Sequence, residues 1–277
     1  MKDVINIREI IFFMFLSLLI TGFLFLTSLV NNQTKIVFCD VGQGDASYIR
    51  VKNKSDILID TGPDRKILSC LGKYMPFYDK KIEILIISHW QKDHIAGLKY
   101  ILERYQVEYI FLPWFFEETK TSNELSILIK KKKIKTIYPR TGSKISIPHA
   151  NILYLWPDKN TSSYTRLNAN DFSSVFLFQE DNYRVLYTGD TSAFVLTKLS
   201  RQSEIKTNIL KVPHHGSKNG LSTKFFLLAD PDTCVISVGR NNSYSHPSKE
   251  VLDIIKASKS KLYRTDEVGD VVFYVKN

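Results

Sequence analysis

Cysteine is scarce: the 277 residues contain three, Cys39, Cys70 and Cys234, widely spaced and with no C-x-x-C pair. That excludes a zinc ribbon and a disulfide framework; at most one bridge can form, and the cysteines read as buried apolar thiols. Internal repeats and low-complexity linkers are also absent, which excludes a solenoid and a disordered chain. Acidic residues are in deficit, 28 Asp plus Glu against 38 Lys plus Arg, for a formal charge of +10. At 44% hydrophobic and 24% charged the chain is no polytopic membrane protein, and its length supports a full core without staples.

What is present divides at about residue 31. Ile10 to Val30 carries no charge; at about 1.5 Å per residue it spans roughly 31 Å, the thickness of a bilayer core. It reads as a transmembrane anchor. A cleaved signal peptide would have a shorter apolar region ending in small residues, where this chain has Leu29 and Val30. Lys2 and Arg8 before it favour a cytoplasmic end over residues 1–9 and an exported domain over 31–277.

In that domain, apolar runs such as KIVFCDV, DILID, EILIIS, EYIFL, KTIYP, NILYLW, SVFLF, RVLYTG, NILKV, TCVISV and DVVFYV read as strands. Between them, 95–105, 123–133, 222–229 and 248–257 read as helices, so the class is α/β and layered. Polar clusters fall at strand ends, where open α/β sheets bind ligands. After ILIIS comes His89-Trp90-Gln91-Lys92-Asp93-His94; RVLYTG delivers Asp190; NILKVP ends at His214-His215-Gly216-Ser217. Asp40-Val41-Gly42-Gln43-Gly44-Asp45 and Asp60-Thr61-Gly62 repeat the arrangement, with turns containing hydrogen-bonded Asp as the plainer reading.

DVGQGDA, LIDTG, SHWQKDHIAGL, NDFSSVF before YTGD, KVPHHGS and YSHPS occur in the order found in metallo-β-lactamase-fold hydrolases. The chain most resembles the hydrolase domain of competence proteins of the ComEC/Rec2 type. The resemblance covers 34–277 and implies an αββα sandwich, here preceded by one N-terminal transmembrane helix, with a metal site at one edge between the sheets. Those proteins also carry a polytopic channel domain; a single anchor implies that any channel is a separate protein.

Carried over by position, the resemblance places His89 at one metal, Asp93 and His94 at a second, Asp190 as the shared carboxylate and His214 as the far imidazole, with His215 a ligand or a neighbour. The chain departs at Gln91, where the fold has His and the competence group Asp, and before YTGD, where Asn168, Asn170 and Asp171 replace a His. One firmly held ion, Zn²⁺ or Mn²⁺, is therefore expected, with a second uncertain. Asp93 or Asp190 would orient the attacking water, and His246 would contact substrate or protonate the leaving group. Ser217 and Lys218 offer phosphate-binding groups. The Lys130–Lys133 run with Lys135 suits a polyanion such as DNA, or lipid head groups, or a solvated face. Trp114, Phe115 and Phe116 form a stacking lip for bases or pack into the core.

The expected activity is a membrane-anchored, extracytoplasmic, metal-dependent phosphodiesterase or nuclease acting on DNA. The alternatives are a hydrolase of a small ester, lactam or lipid head group, and a degenerate, non-catalytic module that binds nucleic acid or a channel partner.

Overall fold

The computed structural model describes residues 6–30, 33–158, 167–201 and 205–275. The first element is a helix, α1 (Ile7–Val30). The side chains of 24–30 and the residues 1–5 lie outside those described, and among the described residues no helix is long and apolar enough to cross a membrane. A helix covers the expected span 10–30, but the structure does not show it as a membrane span.

The chain then forms β1 (Thr34–Phe38), β2 (Ser47–Val51), β3 (Ser55–Ile59), α2 (Ile67–Tyr74), β4 (Lys81–Ile86), α3 (Lys92–Ile95), α4 (Leu98–Arg104), β5 (Gln106–Phe111), α5 (Lys120–Lys131) and β6 (Lys135–Ile137). It continues through β7 (Lys144–Ile147), β8 (Ala150–Trp156), β9 (Val175–Glu180), β10 (Tyr183–Tyr187), α6 (Ala193–Leu199), β11 (Ile209–Lys211), α7 (Thr223–Ala229), β12 (Thr233–Ile236), α8 (Lys249–Lys256), β13 (Lys261–Arg264), α9 (Thr265–Val268) and β14 (Val271–Val275). Two mixed seven-stranded sheets result, ordered β14-β1-β2-β3-β4-β5-β6 and β13-β12-β11-β10-β9-β8-β7.

Side-chain alternation along the strands builds the layers. In β1, Ile36 and Phe38 point to the inter-sheet core with Ile49, Ile57, Phe176, Phe178 and Tyr187. Val37 and Cys39 point the other way, toward Leu71 of α2 and Leu98 and Ile101 of α4. The second sheet covers its outer face with Leu196 of α6, Phe225 of α7 and Val251 of α8. Three apolar layers between four structural layers make the expected αββα sandwich. Thr119, Ser222 and Ser248 cap α5, α7 and α8 through their hydroxyl oxygens, each satisfying a backbone N–H that the first helical turn leaves open.

Two expectations change. Cys39 and Cys70 are bonded to each other, with Cα atoms 5.9 Å apart, so only Cys234 is a buried free thiol. The bridge ties the end of β1 to α2. The helix expected over 95–105 is also divided: α3 and α4 part at Ala96–Gly97, where Gly97 packs so closely on Thr61 that a Cβ would lie 2.0 Å from its carbonyl oxygen.

Candidate metal centre

Loops at one end of the two sheets converge on a cleft of about 360 Å³ lined by Gln91, Asp93, Asp190, His214, His215 and His246, among others. The first sheet contributes Asp45, Asp60 and the 88–94 turn. The second contributes Asp190 after β10 and the His pair after β11. Gly44 lets the first loop close down on the 88–94 turn: its φ is +150°, and a Cβ would meet the Asp93 carbonyl oxygen at 2.3 Å. Asp45 N–H donates to that same carbonyl.

Four donors face one another. His94 Nε2 lies 3.3 Å from Asp190 Oδ1 and 4.0 Å from Asp93 Oδ2. His215 Nε2 lies 3.2 Å from Asp93 Oδ2 and 3.5 Å from Asp190 Oδ2. A tetrahedral ion with bonds of about 2.1 Å needs its ligand atoms about 3.4 Å apart, which these separations bracket. Buried donors without partners point the same way: His94 Nε2, Asp190 Oδ1 and His89 Nε2 have no hydrogen bond, although a buried polar atom left unpaired is costly. The donor set therefore fits a divalent ion.

Each imidazole is fixed from behind. His94 Nδ1 donates to Asp60 at 2.9 Å, and Asp60 also accepts from the Ser88 N–H and hydroxyl, both at 2.7 Å. His215 Nδ1 donates to the Ser237 carbonyl at 2.9 Å. These bonds leave each Nε2 to the cleft, the arrangement that orients metal-binding histidines. Both His214 and His215 have left-handed backbones, φ 51° and 52°, which turns the two neighbouring rings apart. Their centroids are 6.4 Å from each other.

Asp45, His94, Asp190 and His215 form the buried group that could hold a metal ion. Within it Asp45 faces the Nδ1 atoms, 3.9 Å from that of His94 and 3.8 Å from that of His215, and accepts from the buried Lys211 ammonium. It therefore sits behind the rings. The DVGQGD turn signalled Asp45; Lys211, 166 residues away, carried no such signal.

The other side of Asp190 differs. His89 Nε2 and His214 Nε2 stand 3.9 and 3.8 Å from Asp190 Oδ2. Beside them, Gln91 Nε2 donates to Asn170 Oδ1, and the Asn170 amide lies 3.4 Å from His214 Nε2. Asn168 and Asp171 do not reach the cleft centre. They cap each other in the 169–172 turn, and Asp171 accepts from Ser192 N–H. His246 stands at the mouth, its ring 5.8 Å from that of His214 and stacked on Tyr244. Ser217 is buried and Lys218 exposed, and Lys130–Lys133, at the end of α5 and just after it, are exposed together with Lys135 of β6.

The charges follow the geometry. Burial, with His94 beside it, pushes His89 down to about 4, so it is neutral at pH 7. Burial opposes charge on His94 and His215 too, but the carboxylates outweigh it: Asp190, Asp60 and Asp93 raise His94 well above the usual imidazole range, and Asp190 and Asp45 raise His215. Asp190 and Asp93 are correspondingly held below the ordinary carboxylate range, burial notwithstanding, by His215 and His94.

Residues 39–110 match the metallo-β-lactamase superfamily. Over that segment the chain is similar to the superfamily, and its two stacked sheets have the metallo-β-lactamase sandwich fold. Among curated proteins it is similar to ComE operon protein 3 of Bacillus subtilis (strain 168), 25% identical over 92% of this chain and 34% of that protein. Recombination protein 2 of Haemophilus influenzae is 30% identical over 84% of this chain and 28% of that protein. The chain thus spans about a third of the length of these relatives, and the resemblance to competence proteins holds. Among solved structures, the metallo-β-lactamase fold protein YhfI from Bacillus subtilis superposes with a TM-score of 0.60 at 14% identity, covering 88% of this chain and all of that one. Igni18, a metallo hydrolase from Ignicoccus hospitalis, gives 0.55 at 16%, covering 87% and 100%. At such identities these likenesses show the fold alone.

Proposed function

We propose that this metallo-β-lactamase domain is a metal-dependent phosphodiesterase that cuts DNA outside the cytoplasm, held at the membrane by α1. The observation that carries it is the converging set Asp93, His94, Asp190 and His215, with buried, unpartnered donors opening on a cleft. These four would hold the ion, Zn²⁺ or Mn²⁺ by their mixed carboxylate and imidazole chemistry. Such an ion supplies an acidified water and polarises a phosphoryl oxygen.

The remaining work falls to the chain. Asp60 and the Ser237 carbonyl keep the His94 and His215 rings aimed; Asp93, the most exposed of the four donors at 31%, would orient the attacking water. His246 meets the leaving oxygen at the mouth. Burial and the neighbouring His214 lower its pKa, and an approaching phosphate shifts it back toward the protonated form that can donate. His89 and His214 flank a weaker second position on Asp190.

Three observations support the substrate and setting. The relatives are competence and recombination proteins; the chain has a +10 charge; and the Cys39–Cys70 bridge is of a kind that persists in oxidising, exported compartments. A membrane-anchored domain beside a separate channel protein fits them.

The test incubates the full chain in detergent with single- and double-stranded DNA across Mn²⁺, Zn²⁺ and Mg²⁺. Cleavage that chelator abolishes is expected. Hydrolysis of an acyl ester or lactam without DNA cleavage would replace the substrate. The Gln91–Asn170 amide pair favours one rival, a non-catalytic binding module, which absence of both bound ion and activity would establish.

A further inference from the structure

After β5 the chain runs Leu112-Pro113-Trp114-Phe115-Phe116, three aromatic rings in succession in a connecting loop. Such loops are ordinarily polar, yet Trp114 is 36% and Phe116 42% exposed. The loop is bolted to the cleft wall at two points. Phe116 stands edge-on to Trp90, 4.9 Å away, and Trp90 separates His89 from Gln91. Phe115 stacks on Phe172 at 4.4 Å, two residues after Asn170. Arg140 holds its guanidinium over the Trp114 ring at 4.7 Å. These contacts, one to the residue between His89 and Gln91 and one to the turn that carries Asn170, place the loop beside the cleft.

We propose that this ledge is a base-stacking platform: Trp114 and Phe116 take the faces of unpaired nucleobases from a strand whose phosphodiester lies in the cleft, and Arg140 neutralises a neighbouring phosphate. The inference rests on the phosphodiesterase reading above and deepens it by naming the substrate form. Every base offers a π-face, so stacking binds a strand whatever its sequence. Inside a duplex those faces are already stacked and paired, and reaching one costs a few kcal/mol. A platform at the rim therefore selects single strands and frayed ends. An exposed apolar ledge alone would suit lipid equally well; the guanidinium over the indole, beside a cleft built for phosphate chemistry, favours a stacked polyanion.

Of the three tryptophans, Trp90 and Trp156 are buried at 3% and 1% exposure, so fluorescence quenching by an added ligand reads Trp114. Titrating the full chain in detergent and chelator with oligothymidylate should quench it. An abasic strand of the same length should bind about tenfold more weakly and quench little, at the scale of one base on one ring. Trp114→Ala should bind labelled oligothymidylate about tenfold more weakly and lose the distinction between intact and abasic strands, and Trp114→Phe should restore most of both. Discrimination retained in Trp114→Ala, or equal binding of both strands by the wild type, overturns the platform. So does quenching by phosphatidylglycerol vesicles but not by oligonucleotide, which would make the ledge a lipid contact. Stacking without cleavage under any metal would end the phosphodiesterase reading and leave the platform standing; cleavage with unaltered discrimination in Trp114→Ala would do the reverse.

Discussion

On one side of Asp190 stand Asp93, His94 and His215; on the other stand His89, His214 and two neutral amides, Gln91 and Asn170. The first side is charged, and each of its rings has a separate partner behind it, Asp60 or the Ser237 carbonyl. On the second side Gln91 donates to Asn170, whose own amide faces His214. Carboxylate beside carboxylate is stable only with a cation between them, whereas an amide pair is content without one. The two sides therefore differ in how much they demand an ion, and Asp190, reaching both through Oδ1 and Oδ2, couples them.

Asp190→Asn should break both sides together, because it keeps the shape and removes the shared charge. Metal affinity should fall by more than about a hundredfold, beyond the cost of losing a mere supporting contact, and DNA cleavage should go with it. Metal analysis of the purified variant checks this; unchanged metal content would take Asp190 out of the centre.

Next in size is the contrast between the adjacent histidines. His215→Ala should lose the tight ion, while His214→Ala should keep it and lose turnover. Calorimetric metal titration of the two variants distinguishes them, and the opposite outcome would reverse the sides.

Gln91→Asp addresses the weaker side directly. A carboxylate there should tighten a second ion by about tenfold or more without disturbing the first, and raise activity if two ions clamp the attacking and leaving oxygens. Wild-type protein binding two ions with comparable affinity would erase the comparison.

Much of this was legible beforehand, and the losses have physical causes. The long apolar strands announced themselves by period and composition. β2, SYIRV, did not, since Arg50 looks exposed in sequence but is buried against Asp56 and Asp79. β7 and β13 are outermost strands of four residues, KISI and KLYR, each half polar, too short for a periodic pattern to stand out. In the cleft, the histidine and carboxylate clusters were visible as residue types at strand ends. Which of His214 and His215 faces Asp93 was not, because it turns on two left-handed residues. Lys211 beneath Asp45 depends on how the two sheets are stacked, which no local pattern encodes. The disulfide was missed for the same reason: Cys39 and Cys70 are 31 residues apart and meet only when α2 folds over β1.

A pH experiment sharpens the comparison further. His94, raised by three carboxylates, carries a proton at pH 7 in the ion-free protein, so an ion must displace it; His89, at about 4, has none to give. Filling the tight side should release on the order of one proton per ion, and affinity should increase with pH until His94 is deprotonated without help. Calorimetry in buffers of different ionisation enthalpy counts the protons, and uptake without release would show that the ion avoids His94.

The smallest effect on activity is expected from the disulfide, although it closes a loop of 31 residues under the charged side. By chain entropy it contributes up to about 3.7 kcal/mol, and its loss should lower the melting temperature by roughly 10 °C. Asp45 should nevertheless stay in place, held by Lys211 and by the Asp93 carbonyl and Gly62 N–H through its own backbone. The Cys39→Ser/Cys70→Ser pair should therefore melt earlier while changing metal affinity by no more than about twofold. Thiol counting checks the premise. Burial pushes the Cys234 thiol up to about 12, so native protein at pH 8 should offer no reactive thiol, denatured protein one, and denatured, reduced protein all three. Three thiols before reduction would mean that the bridge is not formed, and a metal affinity that collapses in the double variant would mean that the charged side depends on the staple beneath it.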